Sequence, residues 1–299
     1  MSGTPGLTIF GEVLFDCFPS GEQILGGAPF NVAWHAQALG DRPRLISRVG
    51  ADELGEKIIS AMQVWGMDMA GIQIDPEHPT GRVAVRIEDN EPSYHIQPDC
   101  AYDFIAAGSL AQLPSGGILY HGTLGLRNCT SRAAFNHLAQ NTDLAIFLDV
   151  DLRSPWWQKE EVFGWLEQAR WVKLNQDELR LLGFAAADLR QEMARLQTQF
   201  QLEQIILTRG EQGGLVRTSG GAYHQVAAET AQPVVDTVGA GDAFTAIYLH
   251  GLLAGWTVPE TLAAAQRFAG RVVSIRGATT GDAEFYHDFI RSTSQGSRG

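Results

Sequence analysis

Asp236-Thr237-Val238-Gly239-Ala240-Gly241-Asp242 runs directly into Ala243-Phe244-Thr245-Ala246-Ile247-Tyr248-Leu249. Apolar residues at 243, 244, 247 and 249 repeat with helical spacing and give that second segment a buried stripe. The first segment is a small-residue turn that feeds the helix. Gly239, Ala240 and Gly241 allow close approach of a ligand, and the unpaired amides and dipole of a helix N-terminus favour an anion there. Asp242 conflicts with that, because it puts a carboxylate in an anion site. The conflict disappears if the amides face a phosphate and the carboxylate faces a hydroxyl, as transfer of phosphate to an alcohol requires. Taken alone, Gly-Ala-Gly-Asp is equally consistent with a capped helix carrying an acidic first turn.

Upstream, Leu7 to Asp16 reads as a buried strand ending in a carboxylate. Gly26-Gly27-Ala28-Pro29-Phe30-Asn31 opens a helix through Leu39, with Pro29 suited to its first turn and Gly40 to its end. A strand at 45–50 and a helix from Asp52 to Trp65, stopped by Gly66, continue the alternation expected of a parallel sheet covered by helices. At 82–88, Val83, Val85 and Ile87 alternate with polar residues, and 93–97 looks like the hairpin partner across Asp89-Asn90-Glu91-Pro92. One wet face does not suit a sheet covered on both sides, so these strands predict a small accessory sheet.

The alternation then resumes, with strands at 118–124, 145–151, 171–174 and 205–209 and helices at 130–140, 159–169, 176–183 and 186–199. Segments 213–216 and 223–226 read as antiparallel additions at a sheet edge. Long helices follow at 240–253 and from Pro259 to Arg276, then an amphipathic one from Glu284 to Ile290 and a Ser/Gly-rich tail, 292–299, expected to be disordered. The expectation is an α/β doubly wound, mostly parallel sheet: one domain over 1–299, with a β lid from roughly 12–25 and 80–98.

The chain has 299 residues, 44% hydrophobic and 19% charged, enough for one large core or two modest ones. Its net charge of −12 argues against a nucleic-acid surface. A protein this acidic must supply positive potential to a nucleotide locally, from a metal ion, helix N-termini or a few Arg. Cys17, Cys100 and Cys129 are odd in number and lack C-x-x-C spacing, as expected of reduced thiols in a cytoplasmic protein. The first residues show no signal-peptide pattern, and no apolar run reaches the ~20 residues of a membrane span. G-x-x-x-x-G-K-[ST], G-x-G-x-x-G after a strand, H-E-x-x-H and G-x-S-x-G are all absent. Two glycine-containing turns, each opening a helix, remain, and on such sheets they gather at the carboxyl ends of the strands.

Gly26-Gly27-Ala28-Pro29-Phe30-Asn31-Val32-Ala33 resembles the first signature of the ribokinase-like (PfkB) carbohydrate kinases, and Asp236 to Asp242 resembles the second. Between them, Asn175-Gln176-Asp177-Glu178 is similar to that family's N-x-x-E motif and Thr208-Arg209-Gly210-Glu211 to its nucleotide-side turn. Four motifs in order, spanning about 7–290, are specific. The resemblance implies that Asp242 is the catalytic base and that Gly239, Ala240 and Gly241 form the anion hole. It implies that Asp16, Gly27 and Asn31 hold sugar hydroxyls, and that Asn175, Glu178, Thr208 and Gly210 lie on the side of ATP and Mg²⁺. His35, His121 and His224 are expected in structural rather than catalytic roles, and Cys17 as a small filler.

Within the family, Gly11-Glu12-Val13-Leu14-Phe15-Asp16 and Gly26 to Pro29 are most similar to bacterial fructokinases. Asp149-Val150-Asp151-Leu152-Arg153 followed by Trp156-Trp157 is similar to their D-x-N-x-R segment, with Asp151 in place of Asn, while Arg153 is retained within reach of sugar or phosphate. The implied reaction is phosphorylation of fructose on its 6-hydroxyl by ATP. Alternatives are a 2-keto-3-deoxygluconate kinase, another sugar or nucleoside kinase, or a non-catalytic sugar-binding regulator. The resemblance also implies a K⁺ site at Asp236, using the carbonyl of Val238 and carbonyls between Val272 and Gly277; the plainer reading is that Asp236 caps the turn. Val83, Val85 and Ile87 look too apolar for water, which favours burial against sugar or in a homodimer formed through the lid.

Overall fold

The computed structural model describes residues 6–88, 91–109, 116–185, 188–228 and 233–296. The chain begins with β1 (Gly6–Phe10), β2 (Leu14–Cys17), β3 (Gln23–Gly26), α1 (Ala28–Ala38), β4 (Arg44–Gly50), α2 (Glu53–Val64) and β5 (Ile72–Asp75). A hairpin of β6 (Gly81–Glu88) and β7 (Glu91–Ile96) follows, then β8 (Gly117–His121), α3 (Cys129–Gln140), β9 (Ala145–Asp149) and α4 (Lys159–Leu166). The second half holds β10 (Trp171–Asn175), α5 (Gln176–Leu181), α6 (Leu189–Phe200), β11 (Gln204–Thr208), β12 (Gly214–Thr218) and β13 (Tyr223–Val226). Three helices close it: α7 (Ala240–Ala254), α8 (Val258–Val272) and α9 (Ala283–Gly296).

Among the described residues the large sheet has the order β13-β12-β11-β10-β9-β8-β1-β4-β5. From β11 to β5 every neighbouring pair is parallel, while β12 and β13 add antiparallel at one edge. Its strands are apolar on both faces, as sheets covered on both sides require. Ile9, Phe30, Phe244, Ile247 and Phe268 belong to one core, and Phe10, Phe135, Val162, Leu196 and Phe200 to another. Adjacent residues Ile9 and Phe10 of β1 therefore point into different cores. The sheet order reverses at β1, which pairs with β8 on one side and β4 on the other, and α1 packs on α7 beside it. Ligands of such folds bind at the carboxyl ends of strands near a reversal of this kind.

A separate four-stranded sheet, β3-β2-β6-β7, forms the expected accessory layer. The expected single strand over 7–16 is in fact two strands in two sheets. Gly11 breaks it: its φ of 149° suits glycine, and a Cβ there would meet Pro29 Cγ at 2.5 Å. The chain turns away from the large sheet, and β2 pairs with β6 some 65 residues later, Leu14 opposite Gly81.

Three further expectations change. The apolar face of the hairpin is already covered within one chain: Val83 and Val85 are 5% and 3% exposed, Val83 packing with Leu14, Cys100 and Tyr102. Exposure of those valines therefore gives no reason for a second subunit; the Ile87 side chain and residues 89–90 lie outside the described residues. Helix α8 stops at Val272 rather than Arg276, because the chain turns there: Ile275 N–H donates to the Val272 carbonyl, and the Val273 carbonyl accepts from Val235 and Asp236. The stretch from 292, expected to be disordered, is helical as far as Gly296, and 297–299 lie outside the described residues. No helix among the described residues is long and apolar enough to cross a membrane.

Candidate active site

The carboxyl ends of β1, β9, β10 and β11, the N-termini of α1 and α7 and one face of the small sheet enclose a cavity of about 660 Å³. That volume suits a small organic ligand. Of the residues singled out in the sequence, Asp16, Gly27, Asn31, Arg153, Asn175, Glu178, Thr208, Asp236, Val238, Gly239, Gly241, Asp242 and Gly277 line it. Ala240, Gly210 and Val272 are not among its lining residues. Ala240 is the first residue of α7, Gly210 follows Thr208 at one remove with a φ of 53°, and Val272 is wholly buried. Four motifs, with Asn31 and Asp242 as many as 211 residues apart, thus line one cavity.

The turn before α7 shows why its residues are small. Gly239 is the N-cap in a left-handed conformation, φ 78°, and a Cβ there would come within 2.4 Å of the Ala278 backbone. The first helical bond runs from Ala243 N–H to the Gly239 carbonyl. Ala240 N–H donates to the Thr237 carbonyl at 3.4 Å, and the amides of Gly241 and Asp242 lie at the open end of the helix, where unpaired N–H groups and the dipole favour an anion. Asp242 lies in the same turn, and Asn31 Nδ2 of α1 donates to its Oδ2 at 2.8 Å. Burial pushes the Asp242 carboxyl up to about 7, while Asn31 and the Lys173 ammonium act against burial. A group poised near neutrality suits a general base.

Beneath this turn lies an ion pair that motif reading missed. Lys173 Nζ donates to both oxygens of Asp149, at 2.7 and 2.9 Å, and the two residues are 7% and 3% exposed. Asp149 Oδ2 also accepts from Thr245 Oγ1 of α7 at 2.8 Å, which ties the motif helix to the ends of β9 and β10. A Cβ on Gly241 would lie 3.7 Å from Lys173 Nζ, so the ammonium stands directly behind the anion hole. Burial would discharge such a lysine, but the Asp149 carboxylate holds it charged, above its ordinary range. The signal was present in Trp171-Val172-Lys173-Leu174-Asn175, where a lysine interrupts a buried strand and needs an acidic partner.

Glu12 is the other omission. It is 2% exposed, it lines the cavity, and its Oε2 has no hydrogen-bond partner. Burial pushes it up to about 8, with the nearby Asp151 and Asp242 adding to the shift. Asp16, on the small sheet, is pushed up to about 6 by burial, opposed by Arg153.

On the other side of the cavity the Asn175 motif is a capping box. Asn175 Oδ1 accepts from the amides of Asp177 and Glu178 at 2.9 Å, and Glu178 Oε2 accepts from Asn175 N–H at 2.7 Å. The motif therefore has a structural role beside any role toward a ligand. Burial pushes Glu178 up to about 7. Asp236 closes its turn through both oxygens, Oδ1 accepting from Val238 N–H and Oδ2 from Gly277 N–H, each at 3.0 Å. Arg153 lies at the mouth, forked onto Asp151: Nη2 to Oδ1 at 2.9 Å and Nε to Oδ2 at 3.1 Å. The buried rings of His35 and His121, pushed down to about 4 by burial, and the half-buried His224 are all absent from the cavity lining.

Residues 17–284 match the model of the pfkB family carbohydrate kinases. A fructokinase of Salmonella typhimurium is 28% identical over 293 residues, covering 91% of this chain and 94% of the relative. Among solved structures, a fructokinase of Vibrio cholerae O395 in a fructose, ADP and potassium ion bound form superposes with a TM-score of 0.82 at 24% identity, over 95% of this chain and 98% of that one. An aminoimidazole riboside kinase of Salmonella enterica, complexed with aminoimidazole riboside and an ATP analog, superposes with a TM-score of 0.83 at 24% identity, over 95% of this chain and 99% of that one. With its four motifs gathered around one cavity and its sequence matched almost end to end, the chain belongs to the PfkB family of carbohydrate kinases.

Proposed function

We propose that this carbohydrate kinase transfers the γ-phosphate of ATP to the 6-hydroxyl of fructose. The observation that carries the reading is the pairing of Asp242 with the open N-terminus of α7 in one turn. Asp242 takes the proton of the attacking hydroxyl, and Asn31 holds its carboxylate in place. The amides around Gly239, Ala240 and Gly241, with Lys173 behind them, face the charge on the transferred phosphoryl group. Such fixed dipoles stabilise a transition state without reorganising. Asp16 and Gly27 read sugar hydroxyls from the side of the small sheet, which acts as a lid. Asn175, Glu178, Thr208 and Gly210 face ATP. No group of three or more His, Cys, Asp or Glu that could hold a metal occurs among the described residues. Mg²⁺ would then arrive on the nucleotide, held mainly by phosphate and water, in keeping with its reluctance to dehydrate.

Asp236 fits a K⁺ site in part. Its carboxylate joins the Val238 and Gly277 segments, so the Val238 and Gly277 carbonyls are close candidates, whereas the Val272 carbonyl is taken by Ile275 N–H. A homodimer formed through the lid would use its outer face, where Arg82, Ala84, Arg86 and His95 are exposed. The reading is tested by ADP release over a panel of fructose, ribose, 2-keto-3-deoxygluconate and nucleosides. Fructose should give the highest kcat/KM. A tenfold preference for any of the others would refute it.

A further inference from the structure

Among the described residues the cavity is lined by seven acidic side chains, Glu12, Asp16, Asp149, Asp151, Glu178, Asp236 and Asp242, and by two cations, Lys173 and Arg153. Neither cation is free. Lys173 is committed to Asp149, and Arg153 is gripped by Asp151 in a two-point fork. Such forks match guanidinium to carboxylate in both charge and geometry, so a substrate carboxylate would have to displace one of equal quality. The two pairs also differ in kind. Lys173 lies at the floor, nine-tenths buried, whereas the Arg153 side chain is 55% exposed at the mouth, free to turn toward an entering ligand but for its tie.

We infer that Asp151 is a specificity-determining residue, which neutralises Arg153 and so restricts the acceptor to uncharged sugars. The inference rests on the sugar-kinase reading above and adds to it the charge class of the substrate. An acidic sugar would meet the paired Asp151 and Arg153 with no free counter-charge, among acidic groups that would resist a further negative charge, and like charges brought together at a binding site are a strong discriminator. A neutral polyol loses nothing, because it binds by hydrogen bonds that carboxylates accept.

Asp151→Asn should release Arg153 while keeping the shape of the side chain. The experiment compares kcat/KM for fructose with that for 2-keto-3-deoxygluconate in the wild type, in Asp151→Asn and in Asp151→Asn/Arg153→Gln. The single variant should move the ratio toward the acid by at least about tenfold, and the double variant should return it, because the gain needs the freed guanidinium. A merely structural role for Asp151 would lower both substrates together. A ratio unchanged within twofold in the single variant, or a gain that survives loss of Arg153, would overturn the inference. A readout that needs no variant is calorimetric binding of gluconate against glucitol to the wild-type chain: gluconate should bind at least tenfold more weakly, and equal or tighter binding would overturn the inference. If fructose is not turned over but another neutral sugar is, the fructose reading falls while the charge rule stands.

Discussion

Replacing Lys173 by Met tests whether the buried pair supports both the fold and the chemistry of the α7 turn. Met keeps the length of the side chain and removes its charge. Asp149, 3% exposed, would be left with Thr245 Oγ1 at 2.8 Å and Tyr120 OH at 3.4 Å as its side-chain donors. Removing one partner of a buried ion pair typically costs about 3–5 kcal/mol, because the other charge stays uncompensated. For 299 residues the unfolding entropy near the midpoint is about 0.6 kcal/mol/K, so a loss of about 4 kcal/mol lowers Tm by about 6 °C. The control is Lys173→Met/Asp149→Leu, which removes both charges and should recover most of that loss. Scanning calorimetry of the two variants and the wild type measures this. A second readout is the acid limb of the pH–rate profile. Lys173 acts to lower Asp242, so its loss should raise the apparent pKa of that limb from about 7. A single variant within 1 °C of wild type, or a double variant less stable than the single, would refute the argument.

The remaining predictions concern Glu12 and the cation. Glu12 is raised from 4.5 to about 8 by burial, so the fold keeps a proton that the unfolded chain releases within that window, and stability falls as pH rises through it. Glu12→Gln should flatten the decline in Tm between pH 6 and pH 9 and melt higher than wild type at pH 9; parallel Tm–pH curves would contradict it. Replacing Na⁺ by K⁺ at constant ionic strength should raise kcat, and Asp236→Ala should abolish the difference. Equal rates in K⁺, Na⁺ and a bulky organic cation would leave Asp236 as a turn cap only.

The residues that were legible in the sequence are those whose role is local. Gly239 to Asp242 announce themselves because a left-handed turn, a helix N-terminus and a carboxylate lie within four residues, and Asn175 with Glu178 because a capping box has a fixed spacing. The order of strands and helices followed from periodicity for the same reason. What was not legible depends on distant chain. The division of 7–16 into two strands is decided by Pro29 packed on Gly11 and by the pairing of β2 with β6. The covering of Val83 and Val85 is a tertiary matter, since alternation shows that a face is apolar but not what lies on it. Lys173 lies outside every motif, and Glu12 lies inside the Gly11 to Asp16 stretch without a role that the stretch assigns to it. Their significance comes from being buried, and each reads along the chain as a single charge in or beside an apolar run.

The most direct test of phosphoryl transfer from this site is the steady-state kcat of Asp242→Asn with fructose and ATP, together with its affinity for ATP. The amide keeps the volume and the contact with Asn31 but cannot take a proton at neutral pH. The account predicts a fall in kcat of about 10²–10⁴ with ATP affinity nearly unchanged. A variant that retains more than a tenth of the wild-type kcat would contradict it.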